Sequence, residues 1–581
     1  MESLIRLKGS KFKIRFWLLV LPLLLFTEVK ASVFDDIFAG RISETYSLPN
    51  GSLELPKAGD QNGYFDLQEL LFLLGEEAAV HGNLQVLDEV YKTFDDLLAL
   101  DLKEYYFSGD EQNASIVRMR IALIYDSLSL ADPRYTASQK LDTIKSWKTI
   151  APYRYLYNYE LISFYTRMID FYITENDWKE AEHYALICLS YASDQNGLFT
   201  NDIVKLMSRL FVIQAHFGRR HNLAYIAQTF DEIITSHPWY EAQGSTLHSY
   251  SMLMSAAAEL GSFDYAELIQ KVIYDLEAKG AQIPKIVRFN INFNDSIMKA
   301  WNGQEIKNRF FDESLTEEEK QIPVVTHALN TVTIFSKVNA SKNFEKADMD
   351  KLQLASEFSP ENYKIYKSIA LLYFAAQQGK IEEYKKSLYE IKSARIEQQR
   401  RKFSSFEYGK TPGFIDQQVK RAIFRTSKLL FSDVVPPDIA ELILEVVTPT
   451  SSEVDMQIRA KNASLSNPNL ISAPQTGLKL RKEFDFLLLS VLDQIKNNFL
   501  DFAKNDFVPS NKSEVSNIGF SFLRMLNGLR YENRSSISSK DLFNIVQPKP
   551  IDINQIKATL ASSQVLVTYQ TVDDLIFICH L

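Results

Sequence analysis

Apolar residues recur every three or four positions between residues 65 and 395, and short polar breaks separate the apolar runs. This spacing is typical of amphipathic α-helices that bury one side. No long alternation of apolar and polar residues, as a half-buried strand would show, falls in this part of the sequence. The pattern therefore predicts a mainly α-helical fold made of consecutive short helices.

A short turn signature marks several breaks between these helices. In its usual form, a Gly or Asn precedes a polar residue and then an apolar or aromatic residue. The turns are Gly82-Asn83-Leu84, Asn176-Asp177-Trp178, Gly261-Ser262-Phe263 and Gly379-Lys380-Ile381, with a weaker form at Lys342-Asn343-Phe344. An alanine follows three residues later at Ala181, Ala266 and Ala347. Ahead of the first turn stands Gly75, and we expect this small residue to let the second helix approach the first closely.

The first helix pair fits a known repeat best. Its small and apolar positions are Leu71, Leu74, Gly75, Ala78, Leu87 and Tyr91. In this order they resemble the TPR, a two-helix repeat with a period of about 34 residues. The resemblance implies an α-solenoid, a TPR-like helical repeat array over residues 65–395. The alanine spacing departs from that period, and a generic all-helical domain is the alternative.

The N-terminus has the three parts of a signal peptide. Basic residues precede an uninterrupted apolar run at residues 16–26, and small residues lead to a cleavage site between Ala31 and Ser32. The alternative is a transmembrane anchor, but the run is shorter than the roughly 20 apolar residues that an anchor needs. Residues 1–31 therefore predict an exported protein, in the periplasm or outside the cell, with no integral membrane segment after cleavage.

Composition separates the remaining segments. Residues 32–64 contain Gly, Pro, Ser and Asp with few apolar runs, and they predict a leader of low order. Residues 396–475 are basic and polar and predict connecting helices, whereas residues 476–550 predict long helices. Within the latter, residues 478–503 place their apolar side chains on one stripe, as one long amphipathic helix would.

The last thirty or so residues change character. Residues 565–569 and 575–579 are β-branched and aromatic runs around a short polar turn, which predicts a β-hairpin. Two strands alone are marginally stable in water, and their open edges need a cover. From this we expect the hairpin to begin a further domain that residues 551–581 contain only in part.

The order of elements in residues 438–581 carries a second resemblance. A short Asn467-Pro468 element precedes the long helix, then come a helix at 556–560, a strand Leu566-Val567-Thr568-Tyr569 and a second strand at 575–578. This order is similar to the approach to a CHAT domain, the caspase-like peptidase domain fused to TPR arrays in bacterial proteins. The resemblance implies that the hairpin opens an incomplete α/β caspase-like domain.

The chemistry of a CHAT peptidase cannot be assigned to these residues. The resemblance implies a His followed by Gly as the base and a Cys as the thiolate nucleophile, both beyond the opening hairpin. Here His580 is followed by Leu581, and Cys579 lies inside the predicted strand. We therefore assign no catalytic residue and expect this chain by itself not to be an enzyme.

Charge and cysteine content narrow the function further. The net charge of −9, from 73 acidic and 64 basic residues, argues against nucleic acid as a partner, because phosphate binding needs a concentrated basic face. Two cysteines in distant segments do not make a disulfide framework. No His-Glu-x-x-His motif or zinc-spaced cysteine pair occurs, so we predict neither a metal site nor a cofactor site.

A run of tyrosines is the candidate partner-binding site. Tyr153, Tyr155, Tyr157 and Tyr159 crowd one segment, and repeat arrays present a concave surface on which tyrosine can contact a peptide. The alternative is that these rings fill gaps between helices. The leading hypothesis is an exported protein-interaction module of a CHAT-type cysteine peptidase, with a protein or peptide partner. The alternatives are a glycan-binding surface protein and a non-catalytic envelope scaffold.

Overall fold

The computed structural model describes most of the chain. The described residues are 28–49, 53–149, 158–175, 177–192, 200–216, 220–237, 240–302, 304, 329, 332–334, 336–337, 360–404, 414–448, 487–497, 552–560, 567–572 and 575–580. They are predominantly helical, which confirms the all-α character that the apolar spacing predicts. They divide into two compact units, one of Met1–Arg167, His237–His248 and Tyr274–Ile286, the other of Met168–Ser236, Ser249–Ile273 and Val287–Leu581.

Helices follow one another along the chain. From the N-terminus they are α1 Glu28–Phe38, α2 Gln61–His81, α3 Leu84–Ala99, α4 Leu102–Tyr105, α5 Glu111–Ala131, α6 Ala137–Thr149, α7 Asn158–Thr174, α8 Trp178–Ala192 and α9 Thr200–His216. Next come α10 Arg220–Ser236, α11 Gly244–Glu259, α12 Phe263–Ala278, α13 Lys285–Trp301, α14 Pro360–Gln377, α15 Ile381–Ser404, α16 Phe414–Phe431, α17 Pro437–Val447 and α18 Ile553–Thr559. The strands are β1 Val567–Val572 and β2 Leu575–His580. Residues 487–497 are also helical.

Four of the predicted turns join consecutive helices in the same way. The N–H of Asn83, Asp177, Ser262 and Lys380 donates to the carbonyl oxygen five residues earlier, over 2.8 to 3.0 Å. This bond belongs to the Schellman motif, in which the residue before the donor is usually a glycine with positive φ. Gly82, Gly261 and Gly379 have φ of +70°, +75° and +70°. The predicted signature is therefore a helix C-cap followed at once by a new helix, while the weaker turn at 342–344 lies outside the described residues.

The second helix of each pair buries its fourth residue. These residues are Leu87, Ala181, Ala266 and Tyr384, each with no exposed surface. An alanine here leaves room for a neighbouring helix, but Tyr384 shows that the position also accepts a large ring. The Tyr384 hydroxyl lies 3.1 Å from Thr426 Oγ1 and 3.0 Å from Ser427 Oγ, so its polar end is hydrogen-bonded inside the core. Alanine is thus not a requirement of the turn.

Gly75 permits a close approach, although chiefly of a different helix from the one expected. A Cβ atom at this position would lie 2.6 Å from Leu128 Cδ1 of α5 and 3.3 Å from Val90 Cγ1 of α3. The missing side chain therefore admits α5 more than α3. The sequence indicated the small residue but not its neighbour, because Leu128 is distant along the chain.

The composition of residues 32–64 predicts a leader of low order. In the structure, several groups of this segment are buried or hydrogen-bonded. Val33 and Ile37 of α1, and Ile42 after it, are fully buried. The amide nitrogen of Asn83 donates to the carbonyl oxygens of Ser43 and Tyr46, both over 2.8 Å. Backbone carbonyls and a few apolar side chains therefore hold this part of the polar segment.

Two adjacent carboxylates are buried inside the first unit. Glu76 pairs with Arg167, and Glu77 accepts hydrogen bonds at the N-terminus of α11. The N–H groups of Gly244 and Ser245 donate to Glu77 over 2.7 and 3.1 Å, and the Ser245 hydroxyl donates over 2.8 Å. A carboxylate satisfies the open N–H groups and the positive end of a helix dipole, so Glu77 fixes where α11 starts.

The second unit contains a similar buried charge. Arg209 of α9 is 1% exposed on its side chain, and its Nε and Nη2 donate to the carboxylate of Asp170 over 2.8 and 2.9 Å. Its Nη1 donates to the hydroxyls of Ser208 and Ser249 over 3.0 and 3.1 Å. The guanidinium therefore keeps its hydrogen bonds without water, as a buried charge must.

Farther along the second unit, four helices make one apolar core. Helix α14 packs on α15 and α16, and α17 packs on α15 and α16. The core includes Ile369, Leu388, Ile423 and Ile443, all fully buried. Arg421 lies in the segment 396–475 that the sequence shows to be basic and polar, and Arg395 directly precedes it, yet these side chains are 3% and 4% exposed. No helix in the described ranges is long and apolar enough to cross a bilayer.

The close approach at Gly75 gives a stability prediction. In Gly75→Ala, the new methyl group must displace Leu128, and overpacking of this kind costs about 1–3 kcal/mol of unfolding free energy. Urea unfolding followed by circular dichroism measures the cost. Leu128→Ala alone should cost about 2–5 kcal/mol, and the double variant should cost clearly less than the two together. Additive costs would contradict the contact.

A pH prediction follows from His81, which is buried beside Glu77 with its Nε2 3.9 Å from Glu77 Oε2. Burial lowers the pKa of His81 from 6.5 to about 4. Between these values the unfolded chain binds a proton that the folded chain does not, so the contribution of His81 to the unfolding free energy decreases as the pH falls, by up to about 3 kcal/mol.

Urea unfolding at several pH values between about 4 and 7.5 tests this pH dependence. His81→Gln should flatten the dependence across that window. His216→Gln is the matched control, because His216 is exposed, and it should leave the dependence unchanged. Equal slopes for the parent chain and His81→Gln would contradict the assignment.

Candidate interaction surface

The two strands form an antiparallel hairpin, as the sequence predicts. Val567 pairs with His580, Tyr569 with Ile578 and Val572 with Leu575. Successive residues of a strand point to opposite faces, so each strand contributes alternate residues to each face of the sheet. This register places Phe577 and Cys579 on one face and Ile576 and Ile578 on the other.

The inner face of the hairpin packs on the helical core. The Phe577 ring lies 5.5 Å from the Phe424 ring of α16, with an interplanar angle of 17°. Cys579 is 5% exposed and belongs to the same apolar core. These contacts anchor both the strand and its register, because a shift by one residue would turn Phe577 away from Phe424.

Helix α18 precedes the hairpin. It is joined to α17 by an ion pair and a hydrogen bond. Lys557 forms an ion pair with Glu441 of α17. The N–H of Ile553 donates to Glu445 Oε1 over 3.5 Å, and Lys392 of α15 pairs with the other oxygen of Glu445 over 2.7 Å. The backbone is therefore fixed on the helical core at α18 as well as at the hairpin.

Three aliphatic side chains on the outer face of the hairpin are exposed. Val567, Ile576 and Ile578 are 56%, 66% and 59% exposed. Single exposed aliphatic residues are ordinary, but a contiguous group on a sheet marks an interaction site. Among the described residues, no third strand pairs with either β1 or β2, so each strand has one unpaired edge in this part of the chain. An open face and open edges together are what a further strand or layer would cover.

The hairpin does not present a reactive cysteine. Burial raises the pKa of Cys579, and the nearby Glu441 carboxylate raises it further. A thiol with a raised pKa is a poor nucleophile at neutral pH, because the thiolate is the reactive form. Cys579 is therefore a packing residue in this arrangement. The neighbouring His580 pairs through its backbone with Val567.

The tyrosine site predicted from the sequence stays a prediction. Tyr153, Tyr155 and Tyr157 lie outside the described residues, and Tyr159 lies in the first turn of α7. Ala31 and Ser32, the predicted cleavage site, lie within helix α1. The partner-binding role of the tyrosines and the cleavage after Ala31 both stay predictions.

The hairpin surface itself was missed as a site by the sequence analysis. The sequence signal was present, since Ile576 and Ile578 are two residues apart in one predicted strand and Val567 belongs to the other. Which face is covered depends on Phe424, which is distant in sequence and could not be identified from the pattern. Within the described residues, no group of three or more His, Cys, Asp or Glu side chains is placed to hold a metal ion.

Comparisons with known proteins give no relative. No protein-family model matches the chain. No curated protein matches it either, and no solved structure does.

The two faces of the hairpin predict different thiol reactivity. In the folded protein Cys188 is 0% and Cys579 is 5% exposed, so both should react slowly with a maleimide reagent. Ile578→Cys, at a position that is 59% exposed, should add one thiol that reacts at the rate of a free peptide. Mass spectrometry counts the labels. Fast labelling of Cys579 in the folded parent chain would contradict the packing described above.

Proposed function

We propose that this chain is an exported protein-interaction module without catalytic activity of its own, of the CHAT-associated kind. In this proposal the helical array provides the body of the module. The outer face of the terminal hairpin is the surface that a caspase-like domain covers.

The outer face of the hairpin carries this proposal. Its inner face is anchored by Phe577 on Phe424, so the strands are held in a fixed register. Its outer face exposes Val567, Ile576 and Ile578. Aliphatic side chains on a sheet face are buried by other sheets or helices, which makes a protein partner the fitting occupant.

The shared helix turns support the array. Four helical pairs close with the same hydrogen bond across the turn and continue into a second helix without a linker. A recurrent two-helix element is the unit from which TPR-like arrays are built. The array in turn gives the module an extended surface for a peptide, on which the tyrosines at residues 153–159 are the proposed contacts.

Site-specific photo-crosslinking in the producing cell tests the proposal. A benzophenone amino acid replaces Ile578, which is 59% exposed, or Leu268 of α12, which is 56% exposed and serves as the matched control. We expect a discrete protein adduct from position 578 and none from position 268. Mass spectrometry of the adduct should identify a caspase-like α/β domain.

Three results would count against this function. Equal adducts from both positions would show that the hairpin is no special surface. An adduct of another class of protein, formed only from position 578, would keep the interaction surface and overturn the CHAT-type assignment. Hydrolysis of a peptide library by the purified chain would contradict the absence of catalysis.

A further inference from the structure

A small cavity in the first unit is independent of the hairpin. It has a volume of about 410 Å³ and is lined by Asp88, Tyr91, Arg134, Tyr135 and Gln139. The first two residues belong to α3, and the others lie between the end of α5 and the first turn of α6. Ligand sites commonly have volumes of about 300–1,000 Å³ and combine ring surfaces with a few fixed polar groups.

Arg134 is held rigidly in the wall of this cavity. Its Nε donates to Asp132 Oδ1 and Oδ2 over 3.0 and 3.1 Å, and its Nη2 donates to Oδ2 over 2.7 Å. Its Nη1 donates to Asp88 Oδ1 over 2.6 Å. The side chain is still 38% exposed. These contacts use only part of the five N–H groups of a guanidinium, so the remaining N–H groups can donate to a ligand from a fixed plane.

Gln139 is oriented by a local hydrogen-bond network. Its Oε1 accepts from the N–H and the hydroxyl of Thr136, both over 2.9 Å. The side-chain carbonyl oxygen is thus already bonded to Thr136, and the amide nitrogen remains to donate to a ligand. The cavity consequently has two oriented donors, from Arg134 and Gln139, and an acceptor in the partly exposed carboxylate of Asp88.

Tyrosine rings supply the apolar part of the wall. The Tyr91 ring lies 4.8 Å from the Tyr125 ring. Tyr135 also lies near Tyr125, so the three tyrosines are neighbours. Tyrosine offers an apolar ring face together with a polar end, so this wall can contact C–H groups and hydroxyls of one ligand.

The charges of the cavity select among ligand classes. The charged residues of the lining, Asp88 and Arg134, form an ion pair with each other, so the lining has no surplus charge and neither an anion nor a cation is favoured. A cation would meet the guanidinium of Arg134 in the wall. A neutral ligand with hydroxyls that both donate and accept fits the donors, the acceptor and the rings at once. We propose that this cavity binds a neutral saccharide, with Tyr135 against the sugar ring and Arg134, Gln139 and Asp88 on its hydroxyls.

The test uses the whole chain and defined sugars. Cellobiose, maltose and N,N′-diacetylchitobiose are titrated by calorimetry and followed by saturation-transfer NMR, with glucuronate as an anionic and spermidine as a cationic comparison. We expect at least one neutral disaccharide to bind in the millimolar range or tighter. Tyr135→Ala should weaken that binding about tenfold, which is the loss expected for one ring contact. Asp88→Asn should weaken it as well.

Tyr105→Ala is the matched control, because Tyr105 is a 37% exposed tyrosine outside the cavity, and it should leave the dissociation constant unchanged. Unfolding midpoints of the variants show that the fold is retained. The proposal is overturned if none of the sugars binds, if glucuronate or spermidine binds in preference to them, or if Tyr135→Ala binds as the parent chain does. None of these results bears on the hairpin, so the proposed function is tested separately.

Discussion

A helix that ends inside a protein leaves carbonyl oxygens that need hydrogen-bond donors, and this requirement shapes the helix pairs of the described chain. Four helix ends meet it in the same way, with an N–H five residues on as the donor. Because that geometry turns the chain back through a residue with positive φ, a glycine fits at Gly82, Gly261 and Gly379. The next helix then begins within two residues. The short turn is thus set by the backbone, and side chains add the N-cap of the next helix, since Asn83 Oδ1 accepts from the N–H of Val86 and Asp177 Oδ1 accepts from the N–H of Glu180.

Packing of the pairs depends on a smaller number of buried polar groups. Glu77 has three hydrogen bonds at the start of α11, and Glu76 pairs with Arg167, so neighbouring residues of one helix hold parts of the chain that are distant in sequence. Removing one member of such a group leaves the other buried without compensation, which costs more than the pair contributes. The same reasoning applies to Arg209 and Asp170 in the second unit. In both units, buried charges therefore specify where helices start and meet.

The sequence predicted the elements better than their contacts. The turn residues, the helical class and the presence of the hairpin could be predicted from local patterns, because each depends on neighbouring residues, although the first strand, at 567–572, begins and ends later than the predicted 565–569. The partner of Gly75, the docking of residues 43–46 on Asn83 and the contact of Phe577 with Phe424 could not, because each joins residues far apart in the chain. For the same reason, the cavity could not be predicted from the sequence. Arg134 and Gln139 are unremarkable in the sequence, and only their position opposite Asp88 and Tyr91 gives them a common site.

The hairpin shows how a helical core can present a sheet. Two strands are too few to be stable alone, and here Phe577 and Cys579 gain stability from the helices α16 and α17. That support covers the inner face of the hairpin. Because Phe577 is held against Phe424, the register of the strands is fixed without a partner. A preformed strand pair reduces the ordering cost of binding, because its partner meets a rigid surface. The aliphatic side chains of Ile576 and Ile578 would be an aggregation risk on a surface without a purpose. In the proposed function, a protein layer covers these side chains and removes that risk.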